Sequence, residues 1–236
     1  VERWVDRLAA FATRRPLEVL GGALAVTLVS ALGITNLVVD TYSIGFLYDS
    51  HPVAADNRAI EAEFGNYTPL EFVVTSSDPM HQRDVLVAVA DWQDKMEATD
   101  GVGWTRSTVD FLRRFEQLMA DGDPEAYQVP DADDKLEQLY LAYEPDAELG
   151  LPRMLSHDET KLRVTAGIPM GSARDFGQAI DDLITLVDLP EGATVHASGY
   201  LPLYVRMMGS VVDSQLSSFG LAFCVIFVMF LLLFRR

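Results

Sequence analysis

Hydrophobic and polar positions divide the 236-residue chain into three stretches. Residues 17–39 are apolar apart from Glu18, Thr27, Ser30, Thr35 and Asn36, and residues 217–234 carry no charge. Coiled into helices, these runs measure about 35 Å and about 27 Å, against a hydrocarbon core of about 30 Å. The pattern predicts transmembrane helices over residues 17–39 and 216–234. Residues 40–215 mix apolar and polar positions and read as a water-soluble domain between them.

Inside that domain, residues 70–75 (Leu-Glu-Phe-Val-Val-Thr) favour a strand. Asp78-Pro79 offers an N-cap with proline behind it, and Val85, Val89, Trp92 and Met96 mark one face of a helix over residues 82–98. Asp100-Gly101 ends it, and a short strand follows at 102–105. Ser107 and Asp110 fit a capping box, with Phe111, Leu112, Phe115, Leu118 and Met119 behind them at helical spacing. Asp121-Gly-Asp-Pro124 breaks that helix, and Leu136, Leu139, Tyr140 and Tyr143 outline another, ended near Pro145.

The last third repeats the first. A strand at 162–168 precedes a second capping box, Ser172 with Asp175. Phe176, Ala179, Ile180, Leu183, Ile184 and Val187 form the clearest amphipathic stripe, over a helix at 173–187, and a strand follows at 194–197. With residues 107–146 set aside, the order is β-α-β then β-α-β. That is the order of a ferredoxin-like split βαβ fold, with two helices on one face of an antiparallel sheet. The expected class is α+β, with 107–146 as a helical insertion.

Charge gives this layout a direction. Arg3, Arg7, Arg14 and Arg15 precede the first run and Arg235 and Arg236 follow the second, against only Glu2 and Asp6 on the same flanks. The whole chain carries −17, and with these flanks and Glu18 removed the central domain carries −20. The positive-inside rule places residues 1–16 and 235–236 in the cytoplasm and the domain outside, in a multi-pass protein of the cell membrane. A signal-peptide core over residues 17–28, with Val29-Ser30-Ala31 imitating a cleavage site, is the competing reading. Apolar character continues past Ala31 to Val39, which favours a retained anchor.

Composition removes other functions. With 18 Lys and Arg against 35 Asp and Glu, the chain lacks the clustered cations that phosphate binding needs, so no nucleic-acid partner is expected. One cysteine, Cys224, excludes an intrachain disulfide and a cysteine-based zinc site. His51, His81, His157 and His196 are scattered without metal-ligand spacing. Asp121-Gly-Asp-Pro-Glu125 and Asp131-Ala-Asp-Asp134 resemble calcium loops only faintly, since Ala126 stands where an EF-hand needs glycine. No nucleophile elbow, Walker lysine or dinucleotide fingerprint is present, so neither an enzyme activity nor a cofactor is expected.

Arg14-Arg15-Pro16 ahead of the first run resembles the start of RND-superfamily exporters, as do Val39-Asp40-Thr41, Leu47…His51-Pro52 and Asn57…Phe64-Gly65 after it. Ser198-Gly-Tyr-Leu-Pro-Leu-Tyr204, Asp213-Ser-Gln-Leu-Ser-Ser-Phe219 and the ending Leu233-Phe234-Arg235-Arg236 are similar to the approach to the second transmembrane helix in the lipid-exporting MMPL and hopanoid-exporter-like branch. The resemblance implies a proton-driven exporter of lipids or other hydrophobic or amphiphilic molecules, this chain supplying a porter domain. It also implies partners in the bilayer, further transmembrane helices and a second porter domain. Neither apolar run holds a mid-membrane acid, and Glu18 lies at the cytoplasmic edge, so the proton relay is expected outside this chain.

Tyr200, Pro202, Tyr204, Met207 and Met208, just before the second run, are the substrate-path candidates, because aromatic and Met surfaces adapt to varied apolar ligands. The same residues could instead pack the domain onto its helix. A second function class shares this layout: sensors and chemoreceptors also hold a ligand-binding domain between two membrane helices.

Overall fold

β-rich runs and amphipathic stripes alternate along the chain, and the strands they produce join into one sheet. It contains β1 (Thr68–Ser76), β2 (Trp104–Arg106), β3 (Lys161–Ile168) and β4 (Ala193–Ser198). In this computed structural model, which describes residues 10–34, 42–79, 82–142 and 154–234, the strand order is β2-β3-β1-β4 and every neighbouring pair is antiparallel. The helices are α1 (Pro16–Ile34), α2 (Pro52–Phe64), α3 (Arg83–Glu97), α4 (Thr108–Met119), α5 (Asp133–Ala142), α6 (Ala173–Thr185) and α7 (Tyr200–Phe234). The chain divides into two units between Asp40 and Thr41, α1 lying in the first and all other elements in the second.

Strand alternation decides where the core sits. Leu70, Phe72 and Val74 of β1 and Leu162, Val164 and Ala166 of β3 are fully buried on one face. The register sets Phe72 between Val164 and Ala197. Val85, Val89, Trp92 and Met96 of α3 and Phe176 and Leu183 of α6 fill the layer above them. The Trp92 ring meets Phe72 edge-on at 5.1 Å, and its Nε1–H donates to the Leu183 carbonyl at 2.8 Å. These contacts hold α3 and α6 on the same face of the sheet. The other face carries Glu71, Val73 and Thr75, with Arg163 3.6 Å from the Glu71 carboxylate.

Both expected capping boxes form. Ser107 accepts from Val109 N at 3.0 Å while Asp110 accepts from Ser107 N, and Ser172 accepts from Asp175 N at 3.2 Å while Asp175 accepts from Ser172 N at 2.8 Å. Between β2 and β3, α4 and α5 frame a 3₁₀ turn, Pro124–Ala126, and residues 143–146 of the expected insertion lie outside the described residues. Gln93, 1% exposed, ties the insertion to the sheet layer. Its amide donates to Thr105 Oγ1 and Asp110 Oδ2 and accepts from Ser107 Oγ. Arg113 adds a bidentate pair with Asp94 at 2.8 and 2.6 Å.

Three expectations need correction. α3 starts at Arg83 with Gln82 as its N-cap, not at Asp78-Pro79; the Asp78 N–H instead donates to Ser76 Oγ at 3.3 Å in the turn leaving β1. α2 appears where the pattern gave no helix, held by His51 Nδ1 accepting from Val53 N, by Pro52 in its first turn and by Gly65 at φ 74° past its end. Finally, α7 begins at Tyr200, sixteen residues before the expected span, and runs unbroken for 35 residues, about 52 Å. Pro202 sits in its first turn, where its missing N–H costs nothing, and Leu201 is buried, so the helix is anchored in the domain before it becomes apolar.

Among the described residues α7 alone is long and apolar enough to cross a membrane. The apolar part of α1, Pro16–Ser30, is shorter than a full span, and residues 35–39 of the expected first span lie outside the described residues.

Candidate functional site

The start of α7 is positioned by α6. Gly177 faces Val205 of α7, and a Cβ there would meet Val205 Cγ1 in ordinary van der Waals contact at 3.5 Å. Leu201 is buried between the elements, and Tyr204 meets the Phe176 ring edge-on at 6.1 Å. Tyr200 stacks on Tyr204 at 5.8 Å.

This arrangement separates the five path candidates. Pro202, Tyr204 and Met208 are half-buried, and Tyr204 packs on α6. Tyr200 and Met207 are exposed. With Leu203 and Val211, also exposed, they recur at helical spacing and form an apolar stripe on the outer side of α7. Leu203 and Val211 were not singled out by the sequence; their spacing from Tyr200 and Met207 was the available signal. The stripe leads directly into the wholly exposed apolar part of the same helix.

A groove of about 380 Å³ lies along another flank of α6, beside the turn after α3 and the segment after β3. Ile168, Pro169, Met170 and Phe176 give it apolar walls, and Asp100, Asp175 and Asp182 give it a negative character that no Lys, Arg or His in the lining offsets. Asp175 is already committed to the α6 capping box. Phe176 reaches both surfaces, lining the groove and touching Tyr204.

Several of the other candidate groups hold structural positions, and His81 lies outside the described residues. His51 caps α2, and His196 sits in β4 opposite Val73. Asp123 Oδ1 accepts from Glu125 N at 3.0 Å, and Asp131 pairs with Arg83 at 2.5 Å, so the two acidic loops spend these carboxylates on turns and helix docking. Among the described residues no cluster of His, Cys, Asp or Glu has metal-holding geometry. Asp158, exposed in the turn before β3, is held below the usual carboxylate range by hydrogen bonds from Ser156 and Thr160. Hydrogen bonding to Asp94 pushes Arg113 further up.

The chemistry on offer is thus apolar contact with a few carboxylates, next to a helix that can enter a bilayer. No protein-family model matches the sequence, and no curated protein is similar to it.

Proposed function

We propose that this chain is a membrane-anchored part of an RND-type exporter of lipids or other hydrophobic or amphiphilic molecules. In this reading residues 40–215 form its extracytoplasmic porter domain, and the proton relay lies elsewhere in the full protein. One observation carries the reading: α7 passes without a break from the packed layer over the sheet into an apolar segment able to span a bilayer. The strand order supports it, because β2-β3-β1-β4 with two helices on one face is the arrangement of the ferredoxin-like split βαβ fold. So do the exposed apolar stripe beginning at Tyr200 and the family resemblance of the flanking segments. Titratable groups inside the spans are required for a proton relay, and Glu18 and Cys224 are the only ones in the two apolar runs.

The test is transport of a fluorescent amphiphile by energised vesicles carrying this chain, the full protein, or the full protein with Glu18→Gln. Proton-dependent export is expected from the full protein and from its Glu18→Gln variant, and not from this chain alone. Export by the chain alone would refute the proposed division of labour. Ligand-dependent change in a downstream cytoplasmic output, without movement of the amphiphile, would make the chain a sensor.

A further inference from the structure

The segment between the two membrane-directed helices exposes large apolar side chains that nothing in the domain covers. Phe46 is 74% exposed, Tyr48 86% and Phe64 76%, and Val53 and Ile60 are also exposed. Val53, Ile60 and Phe64 recur at intervals of seven and four, so they fall on one stripe of α2, beside the flank that buries Ala54 and Asn57. Phe46 and Tyr48 belong to the 3₁₀ turn and loop just before it. That loop is fixed to the helix: His51 N donates to Tyr48 O at 2.8 Å, and the Arg58 guanidinium reaches the Asp49 carbonyl at 2.5 Å. A soluble surface rarely leaves so many large apolar residues together in water.

Chain length says what lies within reach. Only residues 35–41 separate Ile34, the last residue of α1, from Tyr42, so Tyr42 lies at most about 28 Å from the end of that helix. Tyrosine beside a membrane helix settles at headgroup level, and phenylalanine on the apolar face of an interfacial helix sinks to the acyl boundary just beneath. We propose that the 3₁₀ turn at Ser43–Phe46 and the apolar stripe of α2 rest in the interfacial layer of the outer leaflet, α2 lying along the surface. The contact rests on the reading of α1 as a membrane span.

The charge pattern of α2 refines the surface. Its polar positions carry Asp56, Glu61 and Glu63 against Arg58 alone. A helix held to anionic lipid relies on Lys and Arg, so this one suits a zwitterionic leaflet. Binding then comes from apolar burial, and added anionic lipid weakens it.

The experiment uses the whole chain in phosphatidylcholine vesicles. Cys224 is replaced by Ser, and single cysteines at Tyr48, Phe64, Leu24 or Asp121 carry an environment-sensitive fluorophore. Phosphatidylcholine bearing a nitroxide at headgroup level is the quencher for the first two sites, and a nitroxide deep in the acyl chain serves for Leu24. Labels at 48 and 64 should be quenched at least about twice as strongly as the label at 121, and less so when phosphatidylglycerol replaces half the lipid. Labels at 48 and 64 that behave like 121, while Leu24 is quenched, overturn the interfacial contact and leave the span intact. An unquenched Leu24 removes the span, and the contact falls with it. Quenching at 48 and 64 that grows with phosphatidylglycerol overturns the zwitterionic preference.

Discussion

The indole N–H of Trp92 reaches the backbone carbonyl of Leu183 at 2.8 Å, joining two helices that lie 91 residues apart in sequence. The same carbonyl also accepts from Leu186 N at 3.3 Å, so both of its lone pairs are used where α6 ends. Trp92 is 1% exposed and Leu183 2%, and water cannot substitute for either bond.

Trp92→Phe should therefore lower stability by about 2 kcal/mol, roughly half from the lost hydrogen bond and the rest from the space the smaller ring leaves. Leu183→Asp should cost more, about 4 kcal/mol, since it places an unpaired carboxylate in the same layer. Denaturant unfolding of the inserted chain, followed through the domain's circular dichroism, ranks the two. Equal losses would show that the layer between α3 and α6 is open to water.

Ser107→Ala removes a helix cap and, with it, the donor to Gln93 Oε1 at 2.7 Å. The expected loss is about 2 kcal/mol, larger than for an isolated cap. Hydrogen exchange should localise it to α4 and β2 while leaving β1 and β4 protected.

Two glycines should respond in opposite directions. Gly199 turns β4 into α7 at φ 81°, and a Cβ there would stand 2.5 Å from Glu71 Oε2, so Gly199→Ala should destabilise the domain by about 1–2 kcal/mol. Gly209 lies within α7, and a Cβ added there would meet nothing within 4 Å, so Gly209→Ala should stabilise by about 0.5–1 kcal/mol. Thermal melts of both variants check the pair.

Burial, then the nearby Asp110 carboxylate, pushes the Tyr127 phenol above its ordinary 10.0, against the pull of Arg113 and Arg114 over its ring. The unfolded chain ionises this phenol first. Its contribution to stability is complete below pH 10.0 and is lost as the pH rises through the folded value. The stability of Tyr127→Phe should fall less steeply on this alkaline limb, and ultraviolet titration should show a late-ionising phenol in the wild type that the variant lacks.

Sidedness is open to direct measurement. In a Cys224→Ser background, a cysteine at Asp121 should react with a membrane-impermeant thiol reagent in intact cells, and one at Arg14 should not. Reaction at both positions would overturn the orientation drawn from the arginines.

The strands, α4 and α6 were readable because period and punctuation agreed: Ser107 with Asp110 and Ser172 with Asp175 open helices whose apolar stripes follow at once, whereas α3 was readable from its stripe and not from its start. α2 was not readable, because its large apolar residues face outward and its buried flank holds Ala54 and Asn57, too weak a pattern for a core helix. The early start of α7 was hidden by Arg206 and Asp213, which made its first turns look like the end of a domain. For the candidate site, the tyrosines and methionines were visible as a cluster. Which of them face α6 and which face outward depended on the phase of a helix whose beginning the sequence did not mark.

The unbroken course of α7 makes it a drive shaft. Each turn is hydrogen-bonded to the next, so an axial shift of the apolar part by one residue, about 1.5 Å, would be carried along the helix to Tyr204. There it must either shear the contact with Phe176 or carry α6 along. Trp92 couples α6 in turn to α3. A displacement along α7 would then be felt at α3, in the same helical layer over the sheet, with no break in α7 to absorb it.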